Sequence, residues 1–170
     1  EFFGIMRYLT NKTGKNIHFN KTIEIKSNSV YWNNYPMNLV DYLSENFYQS
    51  LDVGAAFVCF DFKDKAIQMT SYALQSLNRS ENGVHLKSWV IEVSNDKENW
   101  IEIDRHQNDP RLNGPNFKSV FIINNPLTDF YRYIRLRQIG QSWYECSNHY
   151  YFAIQYIEFY GKLKETNKSD

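Results

Sequence analysis

Apolar and polar residues alternate with period two in about eight separate stretches of this chain. Successive side chains of a strand point to opposite faces, so such alternation marks strands with one face buried and one face wet. Residues 22–27 (TIEIKS) alternate cleanly. Residues 57–62 (FVCFDF) send Val58, Phe60 and Phe62 one way and Cys59 and Asp61 the other. Residues 88–94 separate Trp89, Ile91 and Val93 from Val90 and Glu92. Residues 68–77, 99–104, 119–124, 131–139 and 152–161 complete the set. The side-chain types agree with the pattern. Val, Ile, Thr, Phe, Tyr and Trp make up 57 of 170 residues, whereas Ala and Leu together supply only 16, so strand formers outweigh the best helix formers. About eight strands suffice for two packed sheets. One helical turn is expected within residues 37–48, and no other helix is read from the pattern.

The length suits one domain, assigned to residues 1–162, with a flexible tail at 163–170 (LKETNKSD). Nineteen basic and nineteen acidic residues cancel. That balance excludes a sequence-independent nucleic-acid binder, which needs a basic field, and any charge-driven attachment to an anionic membrane. Cys59 and Cys146 are too few and too far apart for a metal knuckle or a redox pair. His18, His85, His106 and His149 lack Glu or Cys at metal spacing, and neither a G-x-S-x-G turn nor a phosphate loop occurs. The expectation is therefore a binding module rather than an enzyme, with no required cofactor, monomeric as an isolated domain.

Long aperiodic segments lie at 28–56, 78–87, 106–117 and 140–151, and long loops on a sandwich are where binding residues gather. Residues 30–36 (VYWNNYP) and 142–145 (SWYE) mix flat rings with polar neighbours, a combination suited both to sugar stacking and to protein hot spots. Trp32, Tyr35, Trp143 and Tyr144 are the ligand-binding candidates from these loops, joined by Arg79 and His85 from 77–85. The rings serve equally well as lids over the sandwich ends. Residues 94–100 (SNDKENW) carry turn formers at both ends and are expected to form a hairpin.

Taken in order, FVCFDFKDKAIQMTSYALQS, SWVIEVSNDKENW, FYRYIRLRQIGQSW and YFAIQYIEFYGKL resemble the discoidin, or coagulation factor V/VIII type C, domain family. Ser94, Asp96 and Trp100 match its hairpin; Arg135, Glu158 and Gly161 match its closing strands. The resemblance implies an all-β galactose-binding-like jelly-roll sandwich with neighbouring termini and ligand loops at one end. It implies that Asp61 faces Arg135 across two strands as a structural bridge, and that Trp100 closes the hairpin. It also implies a calcium site at Asp41 and Glu158, although Leu43 stands where the family's loop has an oxygen donor. The alternative is that Asp41 caps a helical turn and that Glu158 bonds backbone or tyrosine. Lys97 occupies the hairpin's usual glycine position, and the following Asn is expected to take the left-handed conformation.

Secreted relatives close the domain with a disulfide between its ends, whereas this chain has Phe2, Phe3 and Leu163 there. With the missing disulfide, the absent signal segment and the neutral charge, the wording resembles intracellular members found in multidomain proteins. The expectation is a cytoplasmic protein-recruitment domain. The alternative is a carbohydrate-binding module of an extracellular protein. Docking on a membrane through aromatic side chains is the weakest reading, because no Lys or Arg flanks Trp32.

Overall fold

The computed structural model describes residues 3–166. A helix, α1 (Ile5–Thr13), is followed by ten strands: β1 (Glu24–Ser27), β2 (Tyr48–Gln49), β3 (Phe57–Asp61), β4 (Lys65–Gln75), β5 (Trp89–Ser94), β6 (Ile101–His106), β7 (Lys118–Ile122), β8 (Tyr133–Gln138), β9 (Ala153–Ile154) and β10 (Tyr156–Glu165). One sheet has the order β1-β3-β8-β5-β6, a second β10-β4-β7, and β2 and β9 pair on their own. All these pairings are antiparallel. The architecture is an all-β jelly-roll sandwich. Each of the eight expected stretches contributes a strand; the last divides into β9 and β10, and β2 is an addition.

Aromatic side chains from the two larger sheets interlock between them. Phe159 of β10 lies edge-on to Phe60 of β3, with ring centroids 5.1 Å apart. Trp89 of β5 meets Phe121 of β7 edge-on at 5.2 Å, and Tyr72 of β4 stacks on the same ring at 5.1 Å. Edge-to-face and offset contacts of this kind add to the burial of large apolar area.

Three expectations about the backbone need correction. The helix α1 was not foreseen. Its buried residues Ile5, Met6 and Leu9 follow helical spacing, but Ile, Tyr, Thr and Asn are weak helix formers and no side chain of its own caps its start. The expected turn within 37–48 is a single 3-10 turn, Pro36–Val40, which Asp41 ends rather than starts. The domain boundary set at 162 falls inside β10, where Leu163 pairs with Ile67 and packs on the core. The rest of the assigned tail, from Asn167, and Phe2 lie outside the described residues.

The 94–100 hairpin forms, but Lys97 itself takes the left-handed conformation, with φ +63°. Asp96 makes this possible by accepting the N–H groups of Glu98 and Asn99, and the Trp100 indole N–H closes on the Lys97 carbonyl at 3.0 Å. At Gly161 the β4–β10 ladder slips by one residue with φ +145°. A Cβ there would come 2.1 Å from the Gln68 carbonyl oxygen, so only glycine fits.

Candidate functional site

The expected Asp61–Arg135 bridge is not formed. Asp61 lies opposite Tyr133 and Arg135 opposite Cys59, two register positions away. Asp61 instead takes a two-pronged ion pair from Arg132, at 2.8 and 3.1 Å. Arg135 faces Glu92 of β5, whose carboxylate it shares with Arg137. The Arg135 guanidinium lies 4.0 Å from the Trp100 ring, so this hairpin residue serves as a platform for a structural cation.

The calcium expectation meets an occupied carboxylate. Glu158 is fully buried and accepts N–H groups from Gly4, Met6 and Arg7 at 2.7 to 3.0 Å, and from its own neighbour Phe159. It therefore caps α1 from 154 residues away. These four donors occupy both carboxylate oxygens and leave nothing to offer a cation, while burial, only partly offset by them, raises the group's pKa. Tyr42 donates to the Ile157 carbonyl at 2.5 Å and Tyr156 to the Ser44 carbonyl, so hydroxyls fasten the Asp41 loop to β10. Among the described residues no three His, Cys, Asp or Glu side chains gather as a metal site.

The loops at 28–56, 78–87 and 140–151 converge. Tyr31 N–H bonds to the Gln49 carbonyl, Trp143 N–H to the His85 carbonyl, and His85 bridges to Ala153. A run of rings crosses from the first loop to the last. Trp32 meets Tyr31 edge-on at 6.3 Å, Tyr31 meets Tyr151 at 6.2 Å, and Tyr151 meets Tyr144 at 5.6 Å. His149 completes the run, 5.2 Å from Tyr144. Trp32 is 79% exposed and has φ +53°. A bulky residue in that conformation, with its ring in water, is a strained and poorly hydrated feature that the sandwich does not need.

Carboxylates border the rings. His149 Nδ1 lies 2.7 Å from Asp52 and Nε2 3.1 Å from Glu145, so each imidazole nitrogen faces a carboxylate from a different loop. The bond to Asp52, together with Glu145, raises the histidine's pKa. Glu145, Cys146 and Ser147 are three consecutive left-handed residues. The sharp bend they make aims Glu145 back at the histidine, and Cys146 is exposed and free.

The sequence candidates divide among different roles. Trp32 and Tyr144 join the aromatic run. Tyr35 is 46% exposed, and its hydroxyl donates to Asn33. Trp143 is half-buried: its indole N–H donates to the Asp109 carbonyl at 3.3 Å, and the Lys87 ammonium covers its ring at 4.6 Å. His85 as a ligand contact needs correction, because it is fully buried. Its Nε2 faces the carbonyls of Arg79 and Ser80 at 3.0 and 2.9 Å, so this nitrogen carries the proton and pins the loop. Arg79 is exposed but stands apart from the run, over Phe47. Tyr31, Asp52, His149 and Tyr151 were missed. Tyr31 sits inside a segment already singled out, whereas nothing in the sequence brings Asp52 to His149.

Comparison with solved structures gives the same architecture. The chain matches CBM32-3, a module from a family 31 glycoside hydrolase of Clostridium perfringens, with a TM-score of 0.63 and 21% identity, over 84% of this chain and 92% of that one. This is the discoidin-like, galactose-binding fold. The family 32 carbohydrate-binding module of Clostridium perfringens NanJ, in complex with galactose, superposes with a TM-score of 0.63 at 11% identity, over 85% and 95% of the two chains. The corresponding module of AlyQ, in complex with 4,5-unsaturated mannuronic acid, gives 0.60 at 13% identity, over 80% and 92%. No protein-family model matches the chain.

Proposed function

We propose that this domain is a non-catalytic glycan-binding module, working as part of a secreted or surface protein. The observation that carries the reading is the aromatic run headed by the exposed Trp32 and bordered by Asp52, Glu145 and His149. Flat rings supply apolar faces for the C–H side of a pyranose, and the remaining lone pairs of the Asp52 and Glu145 carboxylates, which His149 holds in place, accept from its hydroxyls. Modules of this fold that hold galactose or an unsaturated mannuronic acid support the class of ligand. The expected role in protein recruitment inside the cell gives way to this alternative.

A glycan array probed with the whole chain, followed by calorimetry on the hits, tests the proposal. The expected outcome is binding to at least one oligosaccharide, weakened about tenfold or more by Trp32→Ala, since a base-sized aromatic platform contributes about 1–3 kcal/mol. Binding to no glycan overturns it, and undiminished binding by the variant overturns the aromatic run as the site. One observation favours a protein partner as the second reading: Val120 and Ile122 point outward from β7, an edge strand, with Phe117 exposed beside them. A pull-down that depends on Ile122 and not on Trp32 would mark that surface as the working one.

A further inference from the structure

Arg79 was singled out by the sequence but is not part of the aromatic run. It stands at a separate notch of about 130 Å³ whose other walls include Glu45, Phe47, Asn78, Asn116 and Gln155. The volume is about that of four waters, room for one edge of a small ring rather than for a chain. The side chains of Glu45, Asn78 and Asn116 have no hydrogen-bond partner among the described residues, and all three are exposed. The Arg79 guanidinium spends one N–H on the Asn78 carbonyl and lies 6.0 Å from the Phe47 ring centroid. Gln155 forms a fixed back wall, because it accepts from Gln75 and donates to the Glu45 carbonyl. The rigid part of the notch is thus already satisfied, and the unsatisfied groups all belong to its open side.

We infer that this notch is a second binding site, for the vicinal hydroxyls of a neutral sugar. The notch carries one charge of each sign, so the pull of Arg79 on a phosphate is offset by Glu45 and the pull of Glu45 on an amine is offset by Arg79. A pair of neighbouring hydroxyls satisfies both groups, since each O–H can donate to the carboxylate while its oxygen accepts from the guanidinium. Asn78 and Asn116 add amides that can do either. Phe47 supplies one apolar wall. The inference takes its ligand class from the glycan reading, but its position does not depend on the aromatic run. A free amino acid, with one charge of each sign, is the competing occupant that the two charged groups alone would admit.

The test is a ¹⁵N-resolved NMR titration of the whole chain with galactose, mannose and N-acetylgalactosamine in turn, and with glycine as the charged competitor. The expected result is saturable shifts at the amides of Phe47, Arg79 and Asn116 with at least one sugar, unchanged by Trp32→Ala. Arg79→Ala and Asn116→Ala should each weaken these shifts, Arg79→Ala by about tenfold, as loss of a charge-assisted hydrogen bond implies. Both positions are exposed, so neither substitution threatens the fold, and an unchanged amide spectrum elsewhere verifies it. Shifts only around residues 31–32 and 142–151 overturn the second site and leave the main reading intact. Shifts only at the notch uphold the second site and count against the aromatic run. No shift with any sugar overturns both, and a response to glycine alone overturns the ligand class.

Discussion

Glu158 ties the two ends of the domain together. Its buried carboxylate accepts four backbone N–H groups, three of them at the start of α1. Gly4 allows the approach: a Cβ there would meet the Phe159 carbonyl oxygen at 2.5 Å and the Glu158 side chain at 2.7 Å. In place of a covalent closure between the ends, the fold uses a charged cap. Glu158→Gln presents an amide NH₂ to N–H donors, and the expected loss is about 3 kcal/mol, since hydrogen bonds to a charged group are among the stronger ones. Chemical denaturation should show that loss. A change below 1 kcal/mol would mean that the cap is dispensable. Because the carboxylate is already occupied, adding calcium or EDTA should leave the melting temperature unchanged. A calcium-dependent rise that Glu158→Gln abolishes would contradict the assignment.

At the scale of elements, the 140–151 loop is fastened to the 50–53 segment by a charged clamp rather than by a strand pairing. Asp52 accepts the Tyr150 N–H at 2.6 Å and faces His149. The histidine's pKa is raised above 6.5, first by its bond to Asp52, and the aspartate's is lowered below 3.8, first by its bond to His149. A raised histidine stabilises the fold while protonated, so its contribution is full below pH 6.5 and is lost as pH rises through the raised value. A lowered aspartate contributes above 3.8, and that contribution is lost as pH falls through the depressed value. The clamp is complete between the two, from about pH 4 to 6.5. An NMR titration should place His149 above 6.5, and Asp52→Asn should bring it back down. A midpoint indifferent to Asp52→Asn would remove the clamp from the account. His85 acts in the opposite sense: burial lowers its pKa, so its contribution is present above 6.5 and is lost as acid protonates it.

For the whole molecule, stability rests on the aromatic layer between the sheets. The solvent-accessible surface is 8736 Å², close to the roughly 8,800 Å² that surface scaling gives a monomeric protein of this mass. Phe159 packs against Phe60 of β3 and against Phe62, just past the end of that strand, and is fully buried. Phe159→Ala should cost about 3–5 kcal/mol, through lost transfer energy and the cavity left behind. At this size that is a fall in melting temperature of roughly 10 °C. Calorimetry that finds a fall of only a degree or two would mean that the layer collapses to refill the space.

Period-two alternation, written in contiguous residues, determined the strands and therefore the sandwich. Trp89, Ile91 and Val93 point inward because neighbours in sequence must point to opposite faces. The exposed ring of Trp32, in a loop with polar neighbours, was legible for the same local reason. Tertiary structure alone decided the pairings between distant residues. Which arginine meets Asp61 depends on a register two positions wide, and which histidine faces Asp52 depends on where two loops end. The helix α1 belongs to this second class, since the group that caps it is a carboxylate at the far end of the chain. Such contacts arise from chain closure in three dimensions, and no local pattern carries them.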